Sequence, residues 1–216
     1  IHDKILVYIG GIILVILSIL AVITFYMVRN YSLDNARELS TAAANDADDK
    51  MTYFFREVER LAHTLILQRA VYSADAEEMY DAFISNIIAR KEYIQAIFLG
   101  TANGKIFGRG IGNSYSNYIP ILPPDFDPRK RPWYIEALKN SSYVISKPYW
   151  FSGDINKGIS LSTQVFHPIT KKLTGVLNID FRVDVISKII ALIKVSRGGK
   201  AMLFNSEGNV IRLRLD

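Results

Sequence analysis

The first residues of the chain contain an apolar run that limits how the rest can fold. From Ile5 to Val28 the sequence has no charged residue and consists mainly of Ile, Leu and Val. As an α-helix, such a stretch is long enough to cross about 30 Å of hydrocarbon. A cleaved signal peptide would have a shorter apolar core, of about 7–15 residues, followed by a small-residue cleavage site. The run therefore predicts a retained membrane span, with residues 1–29 as the transmembrane helix and its flank.

The charge of the chain argues against nucleic acid as a partner. The formal net charge is +5, but apart from residues 129–131 the Lys and Arg residues are scattered along the sequence. A nucleic-acid-binding surface usually has a basic stripe interleaved with aromatic residues, and no predicted helix or strand has one. Lys4 and Arg29 on the two sides of the apolar run balance each other, so charge alone does not orient the span.

Residues 30–72 are predicted to form one long helix that continues out of the membrane. They contain no proline or glycine and are rich in Ala, Leu, Glu and Asp. Small and apolar residues recur along this helix at steps of three and four: Leu33, Ala36, Ser40, Ala43, Ala47, Met51, Phe54, Val58, Leu61 and Leu65. The stripe has two interpretations, packing on the chain's own domain or pairing with a second copy in a homodimer. Both hold if each uses a different length of the stripe.

Beyond the long helix the sequence changes to shorter elements of mixed type. A second helix is predicted over Ala76–Arg90. Its predicted apolar face consists of Met79, Phe83, Ile87 and Ile88. The segments Tyr93–Leu99 and Ile106–Phe107 predict a β-hairpin, because the Asn103-Gly104 pair between them is typical of a tight turn. Residues 109–124 are rich in Gly, Ser, Asn and Pro, which predicts a loop that acts as a mobile lid.

Two later segments alternate between apolar and polar residues, as strands with one buried face do. In residues 159–166 the apolar set is Ile159, Leu161, Thr163 and Val165, and the polar set is Ser160, Ser162 and Gln164. In residues 176–181 one face has the apolar residues Leu177, Ile179 and Phe181. The other face has Val176 and the polar residues Asn178 and Asp180. We expect an antiparallel sheet whose apolar face packs on the long helix and whose polar face looks into a pocket covered by residues 109–134. Asp180 belongs to that pocket or, alternatively, to the N-cap region of a following helix over Ile186–Ile193.

The segment Phe126–Tyr134 is the best candidate for a binding site. It contains three consecutive cations, 129–131, between Pro128 and Pro132, and the two prolines restrict the backbone. Pro132 lies in the first turn of a short predicted helix, which aims free backbone N–H groups at the region beside Arg131. These features predict a site for an anion, most simply a carboxylate. The alternative is a solvated basic turn followed by aromatic core residues.

With these pieces placed, the chain resembles the extracytoplasmic double Cache (dCache) sensor domains of bacterial and archaeal transmembrane receptors. The resemblance rests on Asp127-Pro128-Arg129-Lys130-Arg131-Pro132-Trp133-Tyr134, on Ile159-Ser160-Leu161-Ser162-Thr163 and on Gly175-Val176-Leu177-Asn178-Ile179-Asp180. It implies an α+β fold in which the transmembrane helix continues into the long helix. A PAS-like antiparallel-sheet module over residues 73–195 then follows, and a second, membrane-proximal module starts at residues 196–216.

The resemblance also implies a ligand site. In amino-acid-binding members of the family, an Arg-x-Trp-Tyr group, a later Tyr and a later Asp hold the ligand. The matching positions in this chain are Arg131, Trp133, Tyr134, Tyr149 and Asp180. Phe126 stands where such members usually have Tyr, and Phe151 stands where some relatives have an acidic residue. Each departure fits weaker binding, a ligand with a more apolar side chain, or another ligand class, such as a small carboxylate or amine.

The implied function is sensing of a small zwitterion, in the first place an amino acid, by a membrane receptor of the chemoreceptor or sensor histidine kinase type. The sensor region would lie on the extracytoplasmic side of the inner or plasma membrane, form a homodimer, and signal through displacement of the helix over residues 30–72. A membrane-anchored module without a ligand is the alternative. An enzyme is disfavoured for this region, because its histidines (His2, His63 and His167) lie far apart and it has no cysteine, nucleophile motif or phosphate loop. No catalytic residue, metal site or cofactor is predicted here, although a cytoplasmic output domain could be a kinase or cyclase.

Overall fold

A computed structural model of the chain describes residues 2–111, 117–118, 125–150, 157–182, 186, 188 and 193. Most of the predicted helix over Ile186–Ile193 and all of residues 196–216 lie outside the described part, as does Phe151. The chain divides into two compact units, one built mainly on Ile1–Asp48 and the other on Asp49–Leu192. The division of the chain at residues 29, 72 and 195 stays a prediction.

Helix α1 (His2–Ile66) contains the apolar run. In the described part of the chain it is the one helix that is long and apolar enough to cross a membrane. Its large apolar side chains between residues 8 and 28 are exposed on every side of the helix. A helix that is apolar all round suits a hydrocarbon environment better than water.

The long helix ends six residues earlier than predicted. Helix α1 stops at Ile66, and a separate short helix, α2 (Arg69–Tyr72), follows it. The backbone of Gln68 between them is extended, with φ −73° and ψ 137°. This break turns the chain so that Ala70 and Val71 are buried. The prediction of one helix to residue 72 is therefore wrong, because burial of α2 overrides local helix propensity.

Helix α3 (Ala76–Ala89) and the hairpin after it agree with prediction. The side chain of Asp75 accepts a hydrogen bond from the backbone N–H of Glu78 and caps the start of α3. Met79, Phe83 and Ile87 are fully buried, but Ile88 is 61% exposed and does not belong to the core. Gly104, in the turn of the hairpin, has φ +87°, a conformation that glycine adopts without strain.

Among the described residues, seven strands form one antiparallel sheet. They are β1 (Ile94–Thr101), β2 (Ile106–Ile111), β3 (Asn117–Tyr118), β4 (Val144–Ile145), β5 (Tyr149–Trp150), β6 (Lys157–Phe166) and β7 (Leu173–Arg182). Their order across the sheet is β3-β2-β1-β7-β6-β4, and β5 also pairs with β6. Strands β2 and β3 fall partly within residues 109–124, so the prediction of a loop is wrong for Arg109–Ile111 and Asn117–Tyr118. Helix α4 (Pro132–Lys139) precedes β4.

The predicted alternation of the two long strands is confirmed by burial and register. The apolar face is buried and includes Ile97, Leu99, Ile159, Leu161, Leu177, Ile179 and Phe181. Within the second unit, α1 packs on this face: the ring centroids of Phe54 and Phe55 lie 5.4 and 6.0 Å from that of Phe181. The opposite face therefore supplies the surface on which a site can form.

Cross-strand pairing arranges this second face in rows. Ala96, Asp180 and Ser160 form one row, Phe98, Asn178 and Ser162 the next, and Gly100, Val176 and Gln164 the third. Residues in one row lie about 4.5–5.5 Å apart between Cβ atoms, close enough for side chains to contact directly. The register thus brings together polar residues from distant parts of the sequence.

Candidate ligand-binding site

The three cations of the Phe126–Tyr134 segment have different environments. Asp127 accepts hydrogen bonds from the backbone N–H of Arg129 at 3.0 Å and from its guanidinium, with Nη2–Oδ2 at 2.8 Å. This contact with Arg129 lowers the pKa of Asp127 to about 2. The guanidinium also packs against the hairpin turn, where a Cβ on Gly104 would lie 3.0 Å from it. Arg129 is therefore used to hold the turn, and Lys130 is exposed.

Arg131 is placed differently. Its extended backbone, with φ −82° and ψ 145°, leads directly into Pro132 at the start of α4. The guanidinium carbon lies 5.6 Å from the centroid of the Phe126 ring. Within the described part of the chain, Arg131 makes no ion pair. Its charge is consequently available to an anion.

Helix α4 lies close against the sheet through its aromatic residues. Trp133, Tyr134 and Ala137 pack in one buried cluster with Val176. A Cβ on Gly100 would lie only 2.8 Å from Trp133 Cη2 and 2.9 Å from Pro128 Cβ, so glycine is needed at this contact. Tyr134 is 2% exposed, and burial raises the pKa of its hydroxyl. Tyr134 therefore packs between α4 and the sheet.

Asp180 is the centre of a buried hydrogen-bond network. Its Oδ1 accepts from the hydroxyl of Ser160, from Nδ2 of Asn178 at 2.7 Å and from the hydroxyl of Tyr149 at 3.1 Å. The Tyr149 and Ser160 hydroxyl oxygens are 2.6 Å apart. Ser162 donates to Oδ1 of Asn178 at 2.8 Å and extends the network. These contacts place Asp180 in the strand network and not at a helix N-cap.

The network leaves one carboxylate oxygen for another donor. All the hydrogen bonds of Asp180 end on Oδ1, and none from the described residues reaches Oδ2. A serine hydroxyl has one hydrogen, which Ser160 gives to Asp180, so Tyr149 directs its own hydrogen toward Ser160 and Asp180. The donors on this side of the network are therefore used internally. Asp180 is 6% exposed, and a carboxylate oxygen that receives no hydrogen bond from the described residues can accept one from a cationic donor.

The electrostatics point the same way. Burial raises the pKa of Asp180 to about 6, and the hydrogen bonds from Ser160, Asn178 and Tyr149 and the charge of Arg131 oppose this rise. Burial and the Asp180 charge raise the pKa of the Tyr149 hydroxyl. Arg131 acts on both groups through its charge, which lowers both pKa values. A bound cation would stabilise the ionised carboxylate further.

A cavity of about 650 Å³ lies between α4, β4 and the start of β5. This volume suits a small organic ligand. Arg131, Trp133, Tyr149 and Ser162 line it together with apolar side chains of Val144, Ile145 and Pro148. The cavity thus joins the cationic start of α4 to the Tyr149 side of the Asp180 network.

The structure brings most of the predicted site residues into one neighbourhood. Arg131, Trp133 and Tyr149 line the cavity, Tyr149 bonds Asp180, and Phe126 lies beside Arg131. Tyr134 does not line this cavity, so its role in binding stays a prediction that these contacts do not support. The sequence reasoning did not select Ser160, Ser162 and Asn178 as site residues. Their membership of the polar face was the signal that could have found them.

The comparisons with known proteins identify the family. The family model described as a Cache domain (dCache_1) matches residues 27–213. The chain belongs to the Cache domain family. Relatives include methyl-accepting chemotaxis protein PscA of Pseudomonas syringae pv. tomato, 25% identical over 96% of this chain, and McpB of Bacillus subtilis, 24% identical over 76%. The chain spans 31% and 22% of the lengths of these two Cache relatives.

Solved ligand-binding domains of chemoreceptors have the same fold as this Cache chain. That of Pseudomonas fluorescens CtaA in complex with L-serine matches with a TM-score of 0.65 and 20% identity, covering 82% of this chain and 71% of that one. The ligand-binding domain of Pseudomonas aeruginosa PctC in complex with GABA matches with a TM-score of 0.60 and 22% identity, covering 80% of this chain and 72% of that one. The predicted α+β Cache fold is thereby confirmed. As a Cache sensor domain, this region is a ligand-binding module and not a catalytic domain.

Proposed function

We propose that this Cache domain binds a small zwitterion, most simply an L-amino acid, in the cavity beside α4. The observation that carries the proposal is the cation of Arg131 on the cavity wall together with Tyr149, which links the same wall to the buried carboxylate of Asp180. Arg131 lines the cavity without an ion pair among the described residues, and Asp180 offers Oδ2 next to Tyr149. A zwitterion is the simplest ligand that satisfies both.

Each end of the ligand would have a distinct set of partners. The guanidinium of Arg131 suits a carboxylate, because it donates hydrogen bonds in a planar fork. Asp180 would hold the ammonium, and Tyr149 and the face of Trp133 would surround its apolar part. Val144, Ile145 and Pro148 give the cavity an apolar wall, which suits an aliphatic side chain. The CtaA and PctC complexes, which hold L-serine and GABA, support a ligand with both an amino and a carboxylate group.

A ligand with one charged end is the second candidate, and Phe126 favours it. The Phe126 ring beside Arg131 has no hydroxyl to donate to a carboxylate. The ligand carboxylate would therefore be bound less strongly than in a site with tyrosine at this position. An amine held by Asp180 alone would then bind nearly as well as the corresponding amino acid.

The wider role that we infer is signalling by a membrane receptor. The chemotaxis relatives and the apolar helix α1 support a span near the N-terminus with the Cache module on the extracytoplasmic side. A ligand moves α1 only if it binds two arrangements of the module with different affinity. We further propose a homodimer through the membrane-proximal part of α1 and an output domain of the chemoreceptor type. A reporter enzyme fused after residue 72 that is active only outside the cytoplasm would support the orientation, and cytoplasmic activity would refute it.

The ligand class is tested by a thermal-shift screen of the chain in lipid nanodiscs. The panel contains the twenty L-amino acids, with the matching amines and carboxylates that each lack one charged group. A ligand at 100 times its Kd should stabilise the folded protein by about 2.7 kcal/mol, which a melting shift detects. Stronger stabilisation by an amino acid than by either matched fragment supports the zwitterion. Similar stabilisation by the amine and by the corresponding amino acid supports the second candidate, and no stabilisation by any member contradicts both.

A further inference from the structure

Gln164 holds the C-terminal end of α4. Its amide nitrogen Nε2 donates hydrogen bonds to Ala137 O at 2.9 Å and to Asn140 O at 2.8 Å. The last carbonyl groups of a helix have no partner within the helix and need a donor from elsewhere. Gln164 of β6 supplies that donor and ties the helix to the sheet by a directional contact.

The other contacts between α4 and the sheet are apolar. Trp133, Tyr134 and Ala137 pack on Val176, the neighbour of Gln164 in the register. Apolar packing has no directional preference and tolerates small displacements of a helix along a strand. In the part of the chain that the structure describes, side-chain hydrogen bonds from the sheet to α4 come from Gln164. This residue therefore fixes the C-terminal end of α4 over β6.

Simple geometry connects this position to the ligand site. The eight residues of α4 rise about 12 Å along the helix axis. Helix α4 crosses the sheet from β1, where Trp133 packs on Gly100, to β6, where Gln164 holds its last carbonyl groups, so Arg131 lies at the end of α4 opposite to Gln164. The start of α4 reaches the ligand site, because Arg131 and Trp133 line the cavity together with Ser162 of β6.

We propose that Gln164 is a positioning residue that sets the distance between the Arg131 guanidinium and the Asp180 carboxylate. It thereby selects ligands whose two charged groups have the matching separation. Gln164 does not line the cavity beside Arg131 and acts on the ligand only through α4. This inference rests on the proposed binding of a zwitterion.

The test compares Gln164→Met with Val165→Ala in the whole chain in nanodiscs. Methionine keeps the length of the side chain but has no N–H donor. Val165 is the buried neighbour on the opposite face, so Val165→Ala loosens the same strand without touching α4. The probes for calorimetry are the tightest binder among the twenty L-amino acids and the amine that lacks its carboxylate, such as isobutylamine for L-valine.

Gln164→Met should lower the affinity for the amino acid by at least about fivefold and change the affinity for the amine by less than about twofold. Only the amino acid has two charged groups that must reach both Arg131 and Asp180. Hydrogen exchange of the α4 amides should rise in this variant while that of β7 stays unchanged. Gln164→Lys, which restores a donor, should recover part of the amino-acid affinity and is the variant to measure if Gln164→Met does not fold. Val165→Ala should keep both affinities.

Several outcomes would overturn the inference. If Gln164→Met lowers the affinities for the amino acid and the amine equally, the cause is a general loss of packing. The same conclusion follows if Val165→Ala lowers the affinity for the amino acid more than that for the amine. Unchanged affinities in Gln164→Met, with wild-type binding intact, would refute the positioning role alone. If the wild-type chain binds none of the twenty amino acids, the proposed function fails and this inference falls with it.

Discussion

Replacing Asp180 by Asn is expected to stabilise the ligand-free protein while it removes ligand binding. The amide oxygen of Asn can still accept the hydrogen bonds that Ser160, Asn178 and Tyr149 give to Oδ1. The amide nitrogen would take the place of Oδ2 and present donors where a ligand ammonium needs an acceptor. The substitution thus keeps the network and inverts the ligand-facing group.

The size of the stability gain follows from the pKa of Asp180. Burial raises the pKa from its ordinary value of 3.8 to about 6 in the folded protein. The folded state therefore binds more protons than the unfolded state between these values, and stability falls as pH rises through this window. The pKa difference corresponds to about 3 kcal/mol of lost stability above pH 6. Asn carries no charge and avoids this loss.

Melting curves of wild type and Asp180→Asn without ligand, from pH 4 to pH 8, test the reasoning. The two proteins should melt together near pH 4, where the carboxyl group is mostly neutral when folded. At pH 8 the variant should melt higher by several degrees, because 1 kcal/mol corresponds to about 2–4 °C in a domain of this size. A variant that melts lower at pH 8, or a difference that does not change with pH, would refute the account of Asp180 as a destabilising buried charge.

The remaining predictions concern the cationic end of the site and the dimer. Arg131→Ala should weaken both an amino acid and its deaminated carboxylate by at least about tenfold in calorimetry, because it removes a charge-assisted hydrogen bond. Arg129→Ala is the matched control: its cation is already paired with Asp127, so an equal loss would contradict the assignment. Phe126→Tyr should leave the affinity unchanged or raise it, and a loss would place the carboxylate elsewhere. Single cysteines at Leu33, Ala36 and Ser40 should crosslink two copies in membranes with helical periodicity, whereas Ala43, which is 8% exposed, should crosslink least; uniform failure along this face would count against the dimer.

Local sequence patterns determined much of the fold and the outline of the site. The alternation in residues 159–166 and 176–181 assigned each side chain to its face, because successive residues of a strand point to opposite sides. The Asn103-Gly104 pair marked the hairpin turn, since glycine adopts positive φ without strain. Pro132 marked the start of α4 for a similarly local reason. The resemblance that rests on Asp127–Tyr134 then predicted which residues bind the ligand.

The tertiary structure decided which of these residues meet. Tyr149, Ser160 and Asp180 are 11 and 20 residues apart along the chain, and only the pairing of β5 and β7 with β6 brings their oxygens together. Packing also separated neighbours that the sequence treats alike. Trp133 faces the cavity while Tyr134 is buried under α4, and Arg131 lines the cavity while Arg129 holds Asp127. Such choices depend on burial and on long-range contacts, which no local pattern encodes.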